Sequence, residues 1–175
     1  SGGKITDASI TAVAQRCPRL TSLTDMCFQT ELTDMAIAAI ARNCAEFKHL
    51  DISMNQNLTD SSVAFLAQRC TKLQSLHAPL CNQLTDEAVV AIARSCPDLQ
   101  SLATEESDRV TDNSIIVLAN RCPQLRRLRL PRCRVTDVAI ILIAQRCAHL
   151  RELEITGSFW RDDVTSVTLR FELLR

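Results

Sequence analysis

Along residues 58–70 the apolar positions Val63, Leu66, Ala67 and Cys70 fall at i, i+3, i+4 and i+7, the spacing that gives a helix one apolar face. Three residues past Cys70 the period changes to Leu73-x-x-Leu76-x-Ala78-x-x-Cys81, and the same spacing returns as Phe47-x-x-Leu50-x-Ile52-x-x-Asn55 and Leu125-x-x-Leu128-x-Leu130-x-x-Cys133. Alternation of that kind predicts a short strand. The helix-then-strand unit recurs along nearly the whole chain. Aliphatic-Thr-Asp triplets open at Ile5, Leu32, Leu58, Leu84, Val110 and Val135, spaced by 27, 26, 26, 26 and 25 residues, and each is followed twelve residues later by a cysteine: Cys17, Cys44, Cys70, Cys96, Cys122 and Cys147. A single globular core has no reason to keep such a constant interval, whereas a stack of like supersecondary units does. Within each unit Thr59 or Asp60, or their equivalents, can accept the free amide hydrogens of the first helical turn, and an arginine near the end (Arg16, Arg42, Arg69, Arg94, Arg121, Arg146) suits the negative helix terminus.

A strand after every helix, each parallel to the last, matches the leucine-rich repeat pattern L-x-x-L-x-L-x-x-[N/C] over residues 5 to about 158. Units of 26 residues with cysteine at the helix end resemble the cysteine-containing class of these repeats, as found in many F-box proteins. The resemblance implies an α/β fold: a curved horseshoe solenoid with parallel strands on the concave face, helices on the convex face, six repeats and a C-terminal cap. As one domain over 1–175, the repeats are expected at about 5–31, 32–57, 58–83, 84–109, 110–134 and 135–163, with the cap at 164–175. It also implies a role in selecting substrates for a cullin-RING ubiquitin ligase, through an adaptor bound by an upstream F-box. Ser1-Gly2-Gly3 reads as an engineered lead-in, so the natural start is expected further upstream.

Composition narrows the classes without choosing among them. With 46% hydrophobic residues and zero formal net charge in 175 residues, nothing directs the chain toward nucleic acid, and no apolar run reaches the roughly 18 residues of a membrane span. A cytoplasmic or nuclear, reducing compartment is the expectation. The nine cysteines follow the repeat rather than a pairing scheme. Cys81 and Cys133 lie two repeats apart, about 9–10 Å at strand spacing, beyond the roughly 7 Å that a disulfide allows. Buried thiols filling small slots are the plainer reading of the rest. No C-x-x-C occurs, and His49, His77 and His149 share no repeat position, so no zinc site or other cofactor is expected.

Two units break the pattern. In the first, Asp25 falls on the inward slot held elsewhere by Ile52 and Leu130, an expensive burial for a carboxylate. A one-residue bulge that turns Met26 inward and places Gln29 opposite Asn55 resolves this and the extra length of the unit. In the fourth, Thr104 takes the inward slot and Ser107 the Asn/Cys slot, which predicts the softest of the six strands. After Ser158 the repeat ends. Val164, Val167, Phe171 and Leu174 are spaced for one helical face, favouring a capping helix, although Val167-x-Leu169-x-Phe171 also reads as a strand. Phe159 and Trp160 follow, and Trp160, the only tryptophan in the chain, is expected to pack on the last repeat.

Parallel strands at register place equivalent residues in rows about 4.8 Å apart, so the concave surface can be written from the sequence. One row is Ser22, His49, Ser75, Ser101, Arg127 and Glu152; the next is Thr24, Asp51, His77, Ala103, Arg129 and Glu154; a third, at the strand exits, is Phe28, Met54, Leu80, Glu106, Arg132 and Gly157. Phe28, Met54 and Leu80, with His49, Asp51 and His77 beside them, form an apolar stripe rimmed by polar groups, the composition of a protein-binding anchor. The cluster Arg126, Arg127, Arg129, Arg132 and Arg134, with Arg127, Arg129 and Arg132 at its centre, could grip an anion with paired hydrogen bonds, and plant hormone receptors among the F-box repeat proteins hold an inositol phosphate with basic residues of their horseshoe. The competing arrangement, which the rows favour, pairs Arg127 with Glu152, Arg129 with Glu154 and Arg132 with Glu106 in a self-neutralising ladder.

Nothing in the sequence assembles a nucleophile, base or metal in a pocket. His77 and Cys81 share a strand but point to opposite sides, and the three glycines form no phosphate-cradling loop. The expected function is therefore a non-catalytic protein-binding module whose partner is a protein on the concave face, with no cofactor, nucleic acid or membrane. Substrate recognition for ubiquitin ligation is its most specific form. A structural scaffold repeat in a larger assembly and an inositol phosphate sensor are the alternatives.

Overall fold

In the computed structural model the described residues are 5–24, 32–104, 109–156 and, as backbone, 166–170. Six ten-residue helices alternate with six short strands: α1 (Asp7–Arg16), β1 (Ser22–Leu23), α2 (Asp34–Asn43), β2 (His49–Asp51), α3 (Asp60–Arg69), β3 (Ser75–His77), α4 (Asp86–Ser95), β4 (Ser101–Ala103), α5 (Asp112–Arg121), β5 (Arg127–Arg129), α6 (Asp137–Arg146) and β6 (Glu152–Thr156). Strands β1 to β6 pair in chain order and in parallel, each with the strand of the next unit. The architecture is the leucine-rich-repeat solenoid read from the sequence, with Leu50, Leu76, Leu102, Leu128 and Leu153 buried against the helix layer.

The last element corrects one expectation. Where a capping helix was favoured, β7 (Ser166–Arg170) adds to the sheet antiparallel to β6, with Val167 paired to Ile155 and Leu169 to Leu153. Both periodicities are present in 164–174. What decides is the row of unpaired backbone groups that β6 would otherwise leave at the sheet edge, which a strand satisfies and a helix does not.

The aliphatic-Thr-Asp triplet has a wider job than starting a helix. Each threonine is the N-cap residue, and the hydroxyls of Thr33, Thr85, Thr111 and Thr136 accept from the backbone two residues on. The aspartates, however, reach across to the next unit. Asp7, Asp34, Asp60, Asp86 and Asp112 accept the backbone N–H of Thr33, Thr59, Thr85, Thr111 and Thr136 at 2.7 to 2.9 Å and the same threonines' hydroxyls at 2.5 to 2.7 Å. Every aspartate sits at the first helical position, where negative charge also suits the helix dipole. One residue thus serves its own helix and locks the neighbour.

The cysteines form a second ladder. The thiols of Cys44, Cys70, Cys96, Cys122 and Cys147 each donate to the carbonyl of the equivalent cysteine one unit back, at 3.3 to 3.7 Å. Burial in the stack pushes the Cys70, Cys96 and Cys147 thiols up to about 11 and that of Cys122 up to about 12, the last raised further by Cys96 and Cys147. Cys17 differs: it is exposed, because α1 begins the stack of described helices. All eight cysteines among the described residues are free thiols.

Candidate functional site

The open face of the sheet is built by the alternation within each strand. In β2 the outward neighbours of buried Leu50 are His49 and Asp51, in β3 those of Leu76 are Ser75 and His77, and in β5 those of Leu128 are Arg127 and Arg129. The register assembles the first predicted row: Ser22 pairs with His49, His49 with Ser75, Ser75 with Ser101, Ser101 with Arg127 and Arg127 with Glu152. The second row likewise joins Asp51, His77, Ala103, Arg129 and Glu154.

These side chains are not equally available. Asp51 Oδ1 accepts the backbone N–H of Ser53 at 3.0 Å and also its hydroxyl, so its carboxylate closes a local turn. His77 Nε2 lies 3.3 Å from the Ser101 hydroxyl, tying two units together, while His49 is exposed. The arginine–glutamate ladder is uneven. Arg129 Nε sits 2.6 Å from Glu154 Oε2, whereas Arg127 Nε and Glu152 Oε2 are 3.8 Å apart. Arg129 is committed to its carboxylate; Arg127 is held loosely.

At the strand exits, Met54, Leu80 and Arg132 share a backbone feature that the sequence did not announce. All three have left-handed conformations, with φ of 65°, 60° and 58°, a region that non-glycine residues enter at a cost. The turn is closed around Met54 by the Asn55 N–H to Ile52 carbonyl bond and around Arg132 by Cys133 N–H to Leu130. It directs the Met54 and Leu80 side chains to half-buried positions in adjacent units, and the Met54 N–H bonds the Pro79 carbonyl at 2.8 Å. Glycine, the usual signal for such a turn, is missing from all three positions, so nothing in the residue types revealed it. Phe28, Glu106 and Gly157, the Asp25 bulge, Ser107 and the Phe159-Trp160 pair lie outside the described residues.

A further row was read from the sequence at Arg126 alone. One residue ahead of each strand stand Thr21, Lys48, Gln74, Gln100, Arg126 and Arg151, and each backbone N–H from Lys48 onward bonds the preceding member's carbonyl at 2.8 Å. Its signal was present in the 26-residue period. Its side chains open on a cavity of roughly 220 Å³, lined from this row by Gln74, Gln100, Arg126 and Arg151 and from the first strand row by His49, Ser75, Ser101 and Arg127.

The helix side offers less. Phe65 lies between two guanidinium groups, Arg42 at 5.6 Å and Arg69 at 5.5 Å from the ring centre, beside a shallow apolar hollow of roughly 180 Å³. Among the described residues no cluster of histidine, cysteine and acidic side chains could hold a metal ion, and no helix is long and apolar enough to cross a membrane.

Comparison with known proteins agrees with the architecture. A family described as "Leucine Rich repeat" matches residues 43–67. No curated protein sequence matches the chain. Among solved structures, the chain is similar to one chain of the yeast Rad7 and Elc1 complex, with 18% identity and a TM-score of 0.53 over 84% of this chain and 46% of that one. The present chain thus spans about half the length of that relative. It is also similar to the actin-binding site 2 of leiomodin-1, with 15% identity and a TM-score of 0.60 over 84% of this chain and 90% of that one. At these identities the likeness is one of fold.

Proposed function

We propose that this leucine-rich-repeat solenoid is a non-catalytic protein-interaction module whose partner docks on the open sheet face, anchored at Met54 and Leu80 with His49, Asp51 and His77 beside them and Phe28 at the edge. One observation carries the reading. Two consecutive strand exits present large, half-buried apolar side chains on left-handed backbone, where the fifth unit presents exposed Arg132. A sheet tied by the Asp–Thr and thiol ladders is already ordered, so a partner that docks on it loses little conformational entropy in the scaffold. Within this reading the specific role is substrate recognition for a cullin-RING ubiquitin ligase in the cytoplasm or nucleus, with the adaptor reached through an upstream F-box. The resemblance of the 26-residue cysteine-ended repeats to those of F-box proteins supports it. The similarity to a chain from the Rad7 and Elc1 complex is compatible with it in fold.

The test is the double substitution Met54→Glu with Leu80→Glu in the full-length protein, followed by affinity capture and mass spectrometry beside the parent. Anchors in such patches typically cost more than about 2 kcal/mol of binding when their polarity is reversed, so partners recovered by the parent should be lost. The melting temperature should hardly move: neither side chain enters the core, and glutamate meets the same left-handed backbone as methionine or leucine. A variant that folds and retains its partners would remove the sheet face from consideration. A recovered ubiquitin-ligase adaptor would separate the ligase role from a purely structural scaffold.

A further inference from the structure

The cavity at the strand starts has a lining of one electrostatic kind. Arg126, Arg127 and Arg151 contribute three guanidinium groups, Gln74 and Gln100 two amides, and His49 an imidazole; Ser75 and Ser101 supply hydroxyls, and no carboxylate is among the lining residues. The nearest candidate for neutralisation is Glu152, whose Oε2 stands 3.8 Å from Arg127 Nε without reaching a hydrogen bond. Arg126 and Arg151 form no ion pair among the described residues. Arg129, by contrast, is neutralised by Glu154 and does not line the cavity. A chain of zero formal net charge has therefore gathered three arginines, adjacent in the sheet, around one hollow.

We infer that this cavity binds the phosphate group of a phosphorylated side chain on the protein partner. A phosphate monoester brings a charge near minus two and three strong acceptor oxygens, which suits several forked guanidinium donors as a single carboxylate does not. No phenylalanine, tyrosine or tryptophan lines the site, so His49 is its single aromatic ring and no stacking platform for successive bases is built there. The backbone holds the donors in place: Arg126 and Arg151 are fixed by the 2.8 Å bonds of the leading row, so their spacing is that of adjacent strands. From Gln74 to Leu80 is six residues along one unit, at most about 20 Å of extended chain. Arg126 stands two strands from the unit of Leu80 and three from that of Met54, about 10 and 14 Å sideways, so the diagonals are roughly 22 and 25 Å and one peptide of seven or eight extended residues can reach from the arginines toward the anchors. The inference rests on the reading that a protein segment docks on the sheet face, and it assigns the chemistry of one end of that segment.

The probe is a fluorescent heptapeptide library with phosphoserine fixed at the centre and randomised flanks, titrated by polarisation beside the same library unphosphorylated, with inositol hexakisphosphate and inorganic phosphate as competitors. The phosphorylated library should bind at least about tenfold more tightly, and Arg126→Ala with Arg151→Ala should remove that preference while Arg94→Ala on the helix side leaves it. The conservative pair Arg126→Lys with Arg151→Lys keeps the charge and loses the fork, so it should weaken binding with folding undisturbed. Equal binding of the two libraries, or a preference that survives loss of both arginines, overturns the assignment. Tight binding of inositol hexakisphosphate through the same arginines, with no preference between the libraries, overturns the peptide as the source of the phosphate. If phosphorylation makes no difference but Met54→Glu with Leu80→Glu still abolishes capture, the cavity assignment fails alone. If that variant keeps its partners while the phosphorylated library binds, the anchor reading fails alone.

Discussion

The aspartates of the triplets offer a controlled measurement of what one residue contributes to stacking. Asp60 and Asp137 occupy the same first helical position and meet the same helix dipole, but of the two only Asp60 accepts two bonds from a following threonine, Thr85, among the described residues. Asp60→Ala should cost about 1.5–3 kcal/mol in chemical denaturation, the range for hydrogen bonds to a charged group; Asp137→Ala should cost a few tenths of a kcal/mol, about what the helix dipole contributes. Equal losses would assign the triplet to local capping, which is how the sequence alone reads. The spacing showed that threonine and aspartate recur, but a helix-start pattern explains both, and only the register between units reveals that the carboxylate points away from its own helix. The thiols allow a second test. Their pKa values are raised from about 9.0 to about 11 or 12 by burial, so the protonated form is the one the fold favours. The stability tied to that preference is complete below the unfolded value near 9 and is lost as the pH climbs toward 11 and 12. Denaturation midpoints should therefore fall steadily above pH 9. At pH 8, iodoacetamide should label Cys17 rapidly and spare Cys70, Cys96 and Cys122; fast labelling of these three would show that the stack opens without unfolding.

At the scale of elements, the helices and strands were legible because each unit repeats its apolar spacing six times, so chance periodicity is averaged away. The segment 164–174 is read once, and both 3.6-residue and two-residue periods fit it. Pairing with β6 settles the choice, and that is a contact between elements that no local pattern contains. The left-handed turns at Met54, Leu80 and Arg132 escaped because no glycine marks them; at Met54 the turn is accompanied by an inter-unit bond from its N–H to the Pro79 carbonyl, which no local pattern contains. Removing residues 164–175 should uncover the five-residue edge of β6 and promote edge-to-edge association. Light scattering coupled to size exclusion, run across a dilution series, reads the outcome. A truncated chain that associates no more than the parent would mean that β7 is not what protects the edge.

Over the whole molecule, order is transmitted only between neighbours, so stability behaves as a sum of units and interfaces and the weakest unit limits cooperation. The fourth unit is the candidate. Its inward slot holds Thr104, 2% exposed, where the second, third and fifth hold Ile52, Ala78 and Leu130. Among the described residues the Thr104 hydroxyl meets only the Cys133 sulfur, at 3.8 Å, a poor partner for a buried polar group. Its backbone is better served, with its N–H on the Arg129 carbonyl at 3.0 Å and its carbonyl accepting the Cys133 thiol at 3.1 Å. Thr104→Val keeps the branched shape and replaces the hydroxyl with a methyl, so it should raise the unfolding free energy by about 1 kcal/mol. In native-state hydrogen exchange the amide of Thr104 should open at lower free energy than those of Ile52 and Leu130 in the parent, and close that gap in the variant. The consequence reaches the proposed sites, since Met54 and Leu80 lie on one side of this unit and Arg126, Arg127 and Arg151 on the other. A softer fourth unit lets the two halves flex against each other, and a partner that engages both must hold them in register. Thr104→Val should therefore tighten binding of a partner that spans the unit; equal affinity for the spanning partner would show that the hinge is not felt at the sheet face.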